Sequence, residues 1–292
     1  MDFAFGWRHR GETGGDETGS GDGRGATGSG DGGAGGISRT SQAVALTRAT
    51  LERPHSPAGD PRAQARLCQG MRPAPIERLR PMLAARTGFF DQAVLTALAA
   101  GVGQVVICGA GYDDRALRFR TPGVRFFELD QGPTQADKAR RLHSLDTDLS
   151  GLTLATADFR HGDVAGVLAA SGHDRAATTL FLFEGLLVYL DEPTLTGLLS
   201  GLASAAAPGS TLAASLAVHA RGRATAEVVA AANADRRAAA TEPWRTILPR
   251  DEQIALLARA GWRVDRELDP AELAGGAPAG RTLLVQAGLA GR

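Results

Sequence analysis

Two hydrophobic rhythms run along the chain, and they meet near residue 101. Between Ser38 and about Ala100, apolar residues recur at spacings of three and four in SQAVALTRATLER, PRAQARLCQGM, PIERLRPMLAAR and GFFDQAVLTALAAG, the period of helices with one buried face. Pro54, Pro57, Pro61, Pro73 and Pro75 punctuate these stretches, because proline interrupts a helix ladder. Beyond residue 101 the apolar runs become short and continuous: QVVIC (104–108), VRFFEL (124–129), LTLATA (152–157), TTLFLF (178–183) and STLAASLAV (210–218). Helical patterns lie between them in DDRALRF, PTQADKARRLHSL, DVAGVLAA and PTLTGLLSGLASAAA. Such alternation predicts βαβ units and an α/β fold with a doubly wound, mostly parallel sheet. DEQIALLARAGW, WRVDREL and RTLLVQAG add a last helix and two strands. The expected sheet is therefore seven-stranded, with the final pair forming an antiparallel hairpin at one edge.

The organisation read from this pattern has three parts. Residues 1–36 are dominated by Gly, Ser, Thr and Asp, a composition that cannot bury enough apolar surface to offset its ordering entropy, so a disordered tail is expected. Residues 37–100 form a helical lead-in or cap, and 101–292 the principal domain. Within the latter, RATAEVVAAANADRRAAATEPWRTILP reads as a lid at about 220–249, where Trp244 is a candidate for a pocket wall or for packing.

Composition narrows the function classes. A length of 292 residues suits one large α/β domain with additions. Hydrophobic content is 43% but aromatics only 5%, so the core must be built from Ala, Leu and Val. A formal net charge of zero offers no basic surface to nucleic acid or to a membrane. No apolar run approaches the roughly 18 residues needed to span a bilayer, and the N-terminus lacks a signal-peptide core; a cytoplasmic location is expected. Cys68 and Cys108 make neither a disulfide framework nor a metal spacing, and the histidines are scattered, so no metal is expected. The Gly-x-Ser-x-Gly elbow of hydrolases is absent from the sequence.

In a doubly wound sheet, ligands bind outside the carboxyl ends of the strands. Four such ends carry candidate residues. Gly109 and Gly111 in QVVICGAGYDDR permit a sharp turn and close approach of a ligand to the backbone. Where a dinucleotide fingerprint wants a third glycine, the chain has Asp114, preceded by Asp113. Two carboxylates at a helix N-terminus would repel a pyrophosphate and suit a ligand bearing an ammonium or sulfonium. Asp130 follows the glycines by about 20 residues, the spacing at which an acid accepts hydrogen bonds from ribose hydroxyls, unless it merely caps the next helix. Asp158 and Phe159 close the third strand, placed for the adenine amine and ring, unless Asp158 is a solvated loop acid. Glu184 follows a fully apolar strand, and a buried acid there needs either a cleft or a salt bridge to an arginine.

The segments CGAGYDDRALRF, FFELDQGPTQADKARRL, DFR, FEGLLVYL and LLSGLASAAAPGS together resemble the leucine carboxyl methyltransferase-type O-methyltransferases, a family of class I, Rossmann-like fold that includes some polyketide O-methyltransferases. The resemblance covers roughly Ser38 to Gly209. It implies S-adenosyl-L-methionine as cofactor, with Gly109 lining it, Asp130 on the ribose, Asp158 and Phe159 on the adenine side and Glu184 beside the methionine moiety. It also implies that Arg86, in AARTGFFD, pairs with the cofactor carboxylate. Two departures stand out: Asp130-Gln131-Gly132-Pro133 holds one residue more than the family's Asp-x-Pro, and Tyr112 and Asp114 replace commoner residues in the glycine turn.

The expected reaction is methyl transfer to a carboxylate or hydroxyl of a small-molecule acceptor. His219, just after STLAASLAV, is the candidate general base should the acceptor be phenolic, unless it is a solvated loop histidine. The alternative is a protein that binds S-adenosyl-L-methionine as a regulator or scaffold without transferring a methyl group.

Overall fold

The strands form where the apolar runs are. In the computed structural model, which describes residues 36–72, 79–234, 242–273 and 282–291, β1 (Gln104–Cys108) and β4 (Thr179–Phe183) are buried at every position. That is the pattern of central strands covered on both faces. β2 (Arg125–Asp130), β3 (Leu152–Thr156) and β5 (Thr211–His219) complete the parallel part. The strand order is β3-β2-β1-β4-β5-β8-β7, with β7 (Trp262–Leu268) and β8 (Thr282–Leu289) antiparallel to one another. The expected hairpin is present, but its second strand lies inside, antiparallel to β5, and β7 takes the edge. One further strand, β6 (Leu248–Pro249), pairs with the end of β5 and makes the eighth. It is too short to show an alternation in the sequence.

Three helices precede the sheet: α1 (Arg39–Ala49), α2 (Ala63–Leu67) and α3 (Arg80–Ala99). The last joins two stretches expected to be separate. Pro81 falls in its first turn, where a missing N–H costs no hydrogen bond, and an added Cβ at Gly88 would meet nothing within 4 Å. α4 (Arg115–Arg118), α5 (Gly132–His143), α6 (Val164–Ala170) and α7 (Glu192–Ala205) connect the parallel strands. α8 (Thr225–Ala234), α9 (Arg250–Arg259) and α10 (Pro270–Leu273) follow β5. Side chains of Ser38, Asp163 and Asp191 cap α1, α6 and α7 by accepting from Ser41 N, Gly166 N and Thr194 N, which fixes where each helix begins. Most of the expected tail, residues 1–35, lies outside the described residues.

Both sheet faces are covered. Phe127, Phe181, Leu199, Leu256 and Trp262 share one cluster, and Phe90, Val94, Val105, Phe126 and Leu182 the other. Trp262 is fully buried and donates its indole N–H to Leu199 O at 2.9 Å, so its one polar atom is satisfied. The chain order reverses across β1, which has β2 on one side and β4 on the other. The crevice between the carboxyl ends of β1 and β4 is thus the switch point of the sheet.

Candidate functional site

The turn leaving β1 passes through Gly109 and Gly111 at φ of +68° and +51°, a region that residues with a side chain rarely enter. Close packing adds a second requirement. A Cβ on Gly109 would lie 3.1 Å from Leu186 Cβ, and one on Gly111 only 2.8 Å from Ser41 Cβ. The neighbour crowding Gly111 is therefore α1, which lies against the turn. From the other side the turn is held by β2 and α5. Gly109 N and Ala110 N donate to Leu129 O at 2.9 and 3.0 Å, and Gly111 N donates to Asp130 Oδ2 at 2.6 Å. The Tyr112 hydroxyl donates to Asp137 Oδ2 at 2.5 Å, and Lys138 Nζ to Asp113 O at 2.7 Å.

Asp130 does not cap α5, whose N-cap is Gln131 without a side-chain bond. Its carboxylate instead accepts from Gly111 N and from Gln131 N, one on each oxygen. Burial raises its pKa against those two bonds. Each carboxylate oxygen can accept more than one hydrogen bond, so acceptor capacity remains.

Asp113 and Asp114 correct the expectation drawn from them. Both are buried and spent on arginines rather than presented to a ligand. Asp114 accepts from Arg53 Nη1 at 2.6 Å and Arg118 Nε at 2.7 Å; burial opposes its charge, but these guanidiniums outweigh it and hold its carboxyl below the usual range. Asp113 Oδ2 accepts from Arg115 Nη1 at 2.5 Å. The helix they precede, α4, is a single turn. Repulsion of a pyrophosphate by this pair therefore has no structural basis.

Glu184, directly after β4, is where the arginines converge. Its Oε1 accepts from Arg48 Nη2 and Arg86 Nε, both at 3.0 Å, and its Oε2 from Arg115 Nη1 at 2.7 Å. Burial alone would raise this carboxyl, yet Arg48, Arg115 and Arg86 hold it well below its ordinary range. Arg115, wholly buried, also bonds Asp91 Oδ1 at 2.7 Å and Thr87 O at 3.2 Å, and Arg53 grips both oxygens of Asp91. Five guanidiniums (Arg48, Arg53, Arg86, Arg115, Arg118) thus face four carboxylates (Asp91, Asp113, Asp114, Glu184), an excess of one positive charge. Arg86 and Glu184, singled out separately in the sequence, are brought together here. Among the described residues Arg86 spends only Nε in hydrogen bonds, and Nη1 and Nη2 lie 3.7 and 3.9 Å from where a Cβ on Gly185 would stand. The buried Nε of Arg48 has no partner among the described residues.

The third strand end is less directed. Asp158 is half exposed and accepts from Arg160 N at 2.9 Å, closing its own turn. Phe159 is buried in the core cluster with Val164 and Leu168. Its ring is therefore a packing element, which corrects the expectation that it lies open to stack on adenine.

His219 ends β5 and is buried, with Nδ1 2.8 Å from Ala220 O and Nε2 3.3 Å from Thr225 Oγ1. Nδ1 can only donate to the Ala220 carbonyl, which leaves Nε2 as the basic nitrogen, with the Thr225 hydroxyl near it at the start of α8. Part of the expected lid, residues 235–241, lies outside the described residues. The rest is docked. Asn233 bonds both backbone groups of Trp244, at 2.8 and 2.9 Å. Arg245 N and Thr246 N donate to Val188 O, and Thr246 Oγ1 donates to Leu190 O at 2.6 Å. Val188, Val228 and Ile247 form a small buried cluster there, with Tyr189 and Trp244 packed on it. Thr40 Oγ1 on α1 donates to Glu242 Oε2 at 2.6 Å, so the lid also meets the lead-in.

Sequence reasoning missed Arg48, Arg53, Asp91, Arg115 and Arg118. A usable signal existed: Asp113, Asp114 and Glu184 sit beside fully apolar strands, and buried carboxylates require cationic partners. Among the described residues no group of His, Cys, Asp and Glu could hold a metal ion. No described helix is long and apolar enough to cross a membrane.

Residues 37–203 match the family model for leucine carboxyl methyltransferase. A relative from Streptomyces avermitilis, provisionally named an S-adenosyl-L-methionine-dependent methyltransferase, is 38% identical over 62% of this chain and 62% of its own length. A similarly named protein from Parafrankia is 33% identical over 83% of this chain and 81% of its own. The chain spans about three fifths of the length of the first two curated relatives it matches, 62% and 61%. A solved structure from Thermobifida fusca, described provisionally as a methyltransferase, superposes with a TM-score of 0.53 over 74% of this chain and 84% of its own; at 16% identity the likeness is one of fold.

Proposed function

Since the chain belongs to the leucine carboxyl methyltransferase family, we propose that it transfers a methyl group from S-adenosyl-L-methionine to an oxygen of a small-molecule acceptor. The observation that carries this reading is the pair Arg86 and Glu184 beside the glycine turn. A methionyl moiety carries an ammonium and a carboxylate on one carbon; the two Arg86 nitrogens that make no hydrogen bond among the described residues suit the carboxylate, and Glu184, whose Oε2 accepts only from Arg115 among those residues, keeps an acceptor site for the ammonium. Asp130 keeps acceptor capacity for ribose hydroxyls, and Asp158 is exposed enough to accept from an adenine amine.

When bound, S-adenosyl-L-methionine supplies a methyl on a sulfonium whose leaving group is a neutral thioether. The chain's own residues then have little chemistry to do. They hold the two reactants aligned and, through α1 and the lid, keep water out, effects that can supply about 7–11 kcal/mol. The acceptor we favour is a carboxylate, which is already ionised near neutral pH and needs no base. Titration calorimetry with S-adenosyl-L-methionine and S-adenosylhomocysteine tests the cofactor half of the proposal; binding of neither would overturn it.

A further inference from the structure

Lys138 is the only lysine in the chain, and it is buried beneath the glycine turn. From α5 its Nζ donates to Asp113 O at 2.7 Å and pairs with Glu128 on β2, which is wholly buried too. Burial pushes the Glu128 carboxyl up to about 7 against the pull of Lys138, which marks the pair as costly to hold. A buried ion pair adds little net stability, since desolvation offsets the attraction. What it does here, and an apolar pair could not, is present an N–H to a carbonyl of the turn.

We propose that Lys138 is a positioning residue for the cofactor: with Glu128 as counter-ion, it fixes the Asp113 carbonyl and so the path of residues 109–113. This rests on the reading that the turn binds S-adenosyl-L-methionine. It extends a pattern in which, among the described residues, the other hydrogen bonds to the turn from β2 and α5 run to Leu129, Asp130 and Asp137, with Arg141 of α5 lying over the Tyr112 ring.

The test separates positioning from stability. Lys138→Met alone leaves Glu128 unpaired and lowers the melting temperature. Combined with Glu128→Gln, it should melt within a few degrees of the wild type yet bind S-adenosylhomocysteine about tenfold more weakly, the effect of one lost hydrogen bond. A double variant that melts and binds like the wild type would overturn the proposal. Should the double variant not fold, the unaltered protein gives a second readout, acylation of its single lysine by an amine-selective reagent. Saturating S-adenosylhomocysteine should slow modification of Lys138, as mapped by mass spectrometry; an unchanged rate would overturn the proposal. Failure of the wild type to bind S-adenosylhomocysteine would instead remove the cofactor reading on which it rests.

Discussion

Arg86 on α3 donates its Nε–H to Oε1 of Glu184 at 3.0 Å, which ties a helix that precedes the sheet to the carboxyl end of β4. The bond uses Nε and leaves Nη1 and Nη2 without a hydrogen bond among the described residues. Glu184 in turn has two other arginines, so it does not depend on Arg86 for its charge balance.

That division predicts a clean phenotype for Arg86→Met. Folding should persist, because Arg48 and Arg115 still neutralise Glu184. Affinity for S-adenosylhomocysteine should fall by about 1.5–3 kcal/mol, the range for a hydrogen bond to a charged group. Calorimetry on a variant that melts normally decides the matter, and wild-type affinity would remove Arg86 from the site.

Asp130 has two jobs to separate, since it holds Gly111 N and is also proposed to hold ribose. Asp130→Asn keeps one oxygen for Gly111 N but sets its amide nitrogen against Gln131 N, so it should melt lower than the wild type while still folding. Among folded protein it should bind S-adenosylhomocysteine about 1–3 kcal/mol more weakly. Unchanged binding would confine Asp130 to shaping the turn.

Stability should depend on pH in two opposed ways. Asp114 and Glu184 have carboxyls held below their ordinary values, so their contribution is present above the ordinary carboxylate range and lost as pH falls below it. The melting temperature should drop steeply below about pH 4. Glu128, raised from 4.5 to about 7, works the other way: its contribution is full below 4.5 and lost as pH rises through 7. Glu128→Gln should flatten the curve between those two values. Thermal melts across pH give the answer, and a profile level down to pH 2.5 would contradict the arginine network as described.

For His219 the geometry predicts a modest effect. With Nδ1 on Ala220 O and Nε2 beside Thr225, His219→Ala should loosen the start of α8 and lower turnover by less than about tenfold. A loss of a hundredfold or more, at unchanged cofactor affinity, would make His219 the general base after all.

The strands and the switch point were legible because a parallel strand buried on both faces must be apolar throughout, as in QVVIC and TTLFLF. The same logic put Asp130 and Glu184 at strand ends. What the sequence could not convey was which charges meet. Asp113 and Asp114 read as carboxylates presented to a ligand at a helix N-terminus but are buried against Arg48, Arg53, Arg115 and Arg118. Arg48 and Arg53 come from α1 and the loop after it, over 60 residues before the last of their partners, and no local period announces such contacts. Phe159 misled for a related reason. A residue after a strand end can turn to the cleft or to the core with the same sequence signature, and packing with Val164 and Leu168 decided it.

The most direct test of the account is transfer of labelled methyl from S-adenosyl-L-methionine to a panel of small carboxylic acids and phenols, run on the wild type and on Glu184→Gln. The account predicts label in an ester of at least one carboxylate, S-adenosylhomocysteine released in equal amount, and loss of both with Glu184→Gln. Tight binding of S-adenosyl-L-methionine by the wild type, with no label transferred to any carboxylate or phenol, would contradict it and leave a protein that binds the cofactor without using it.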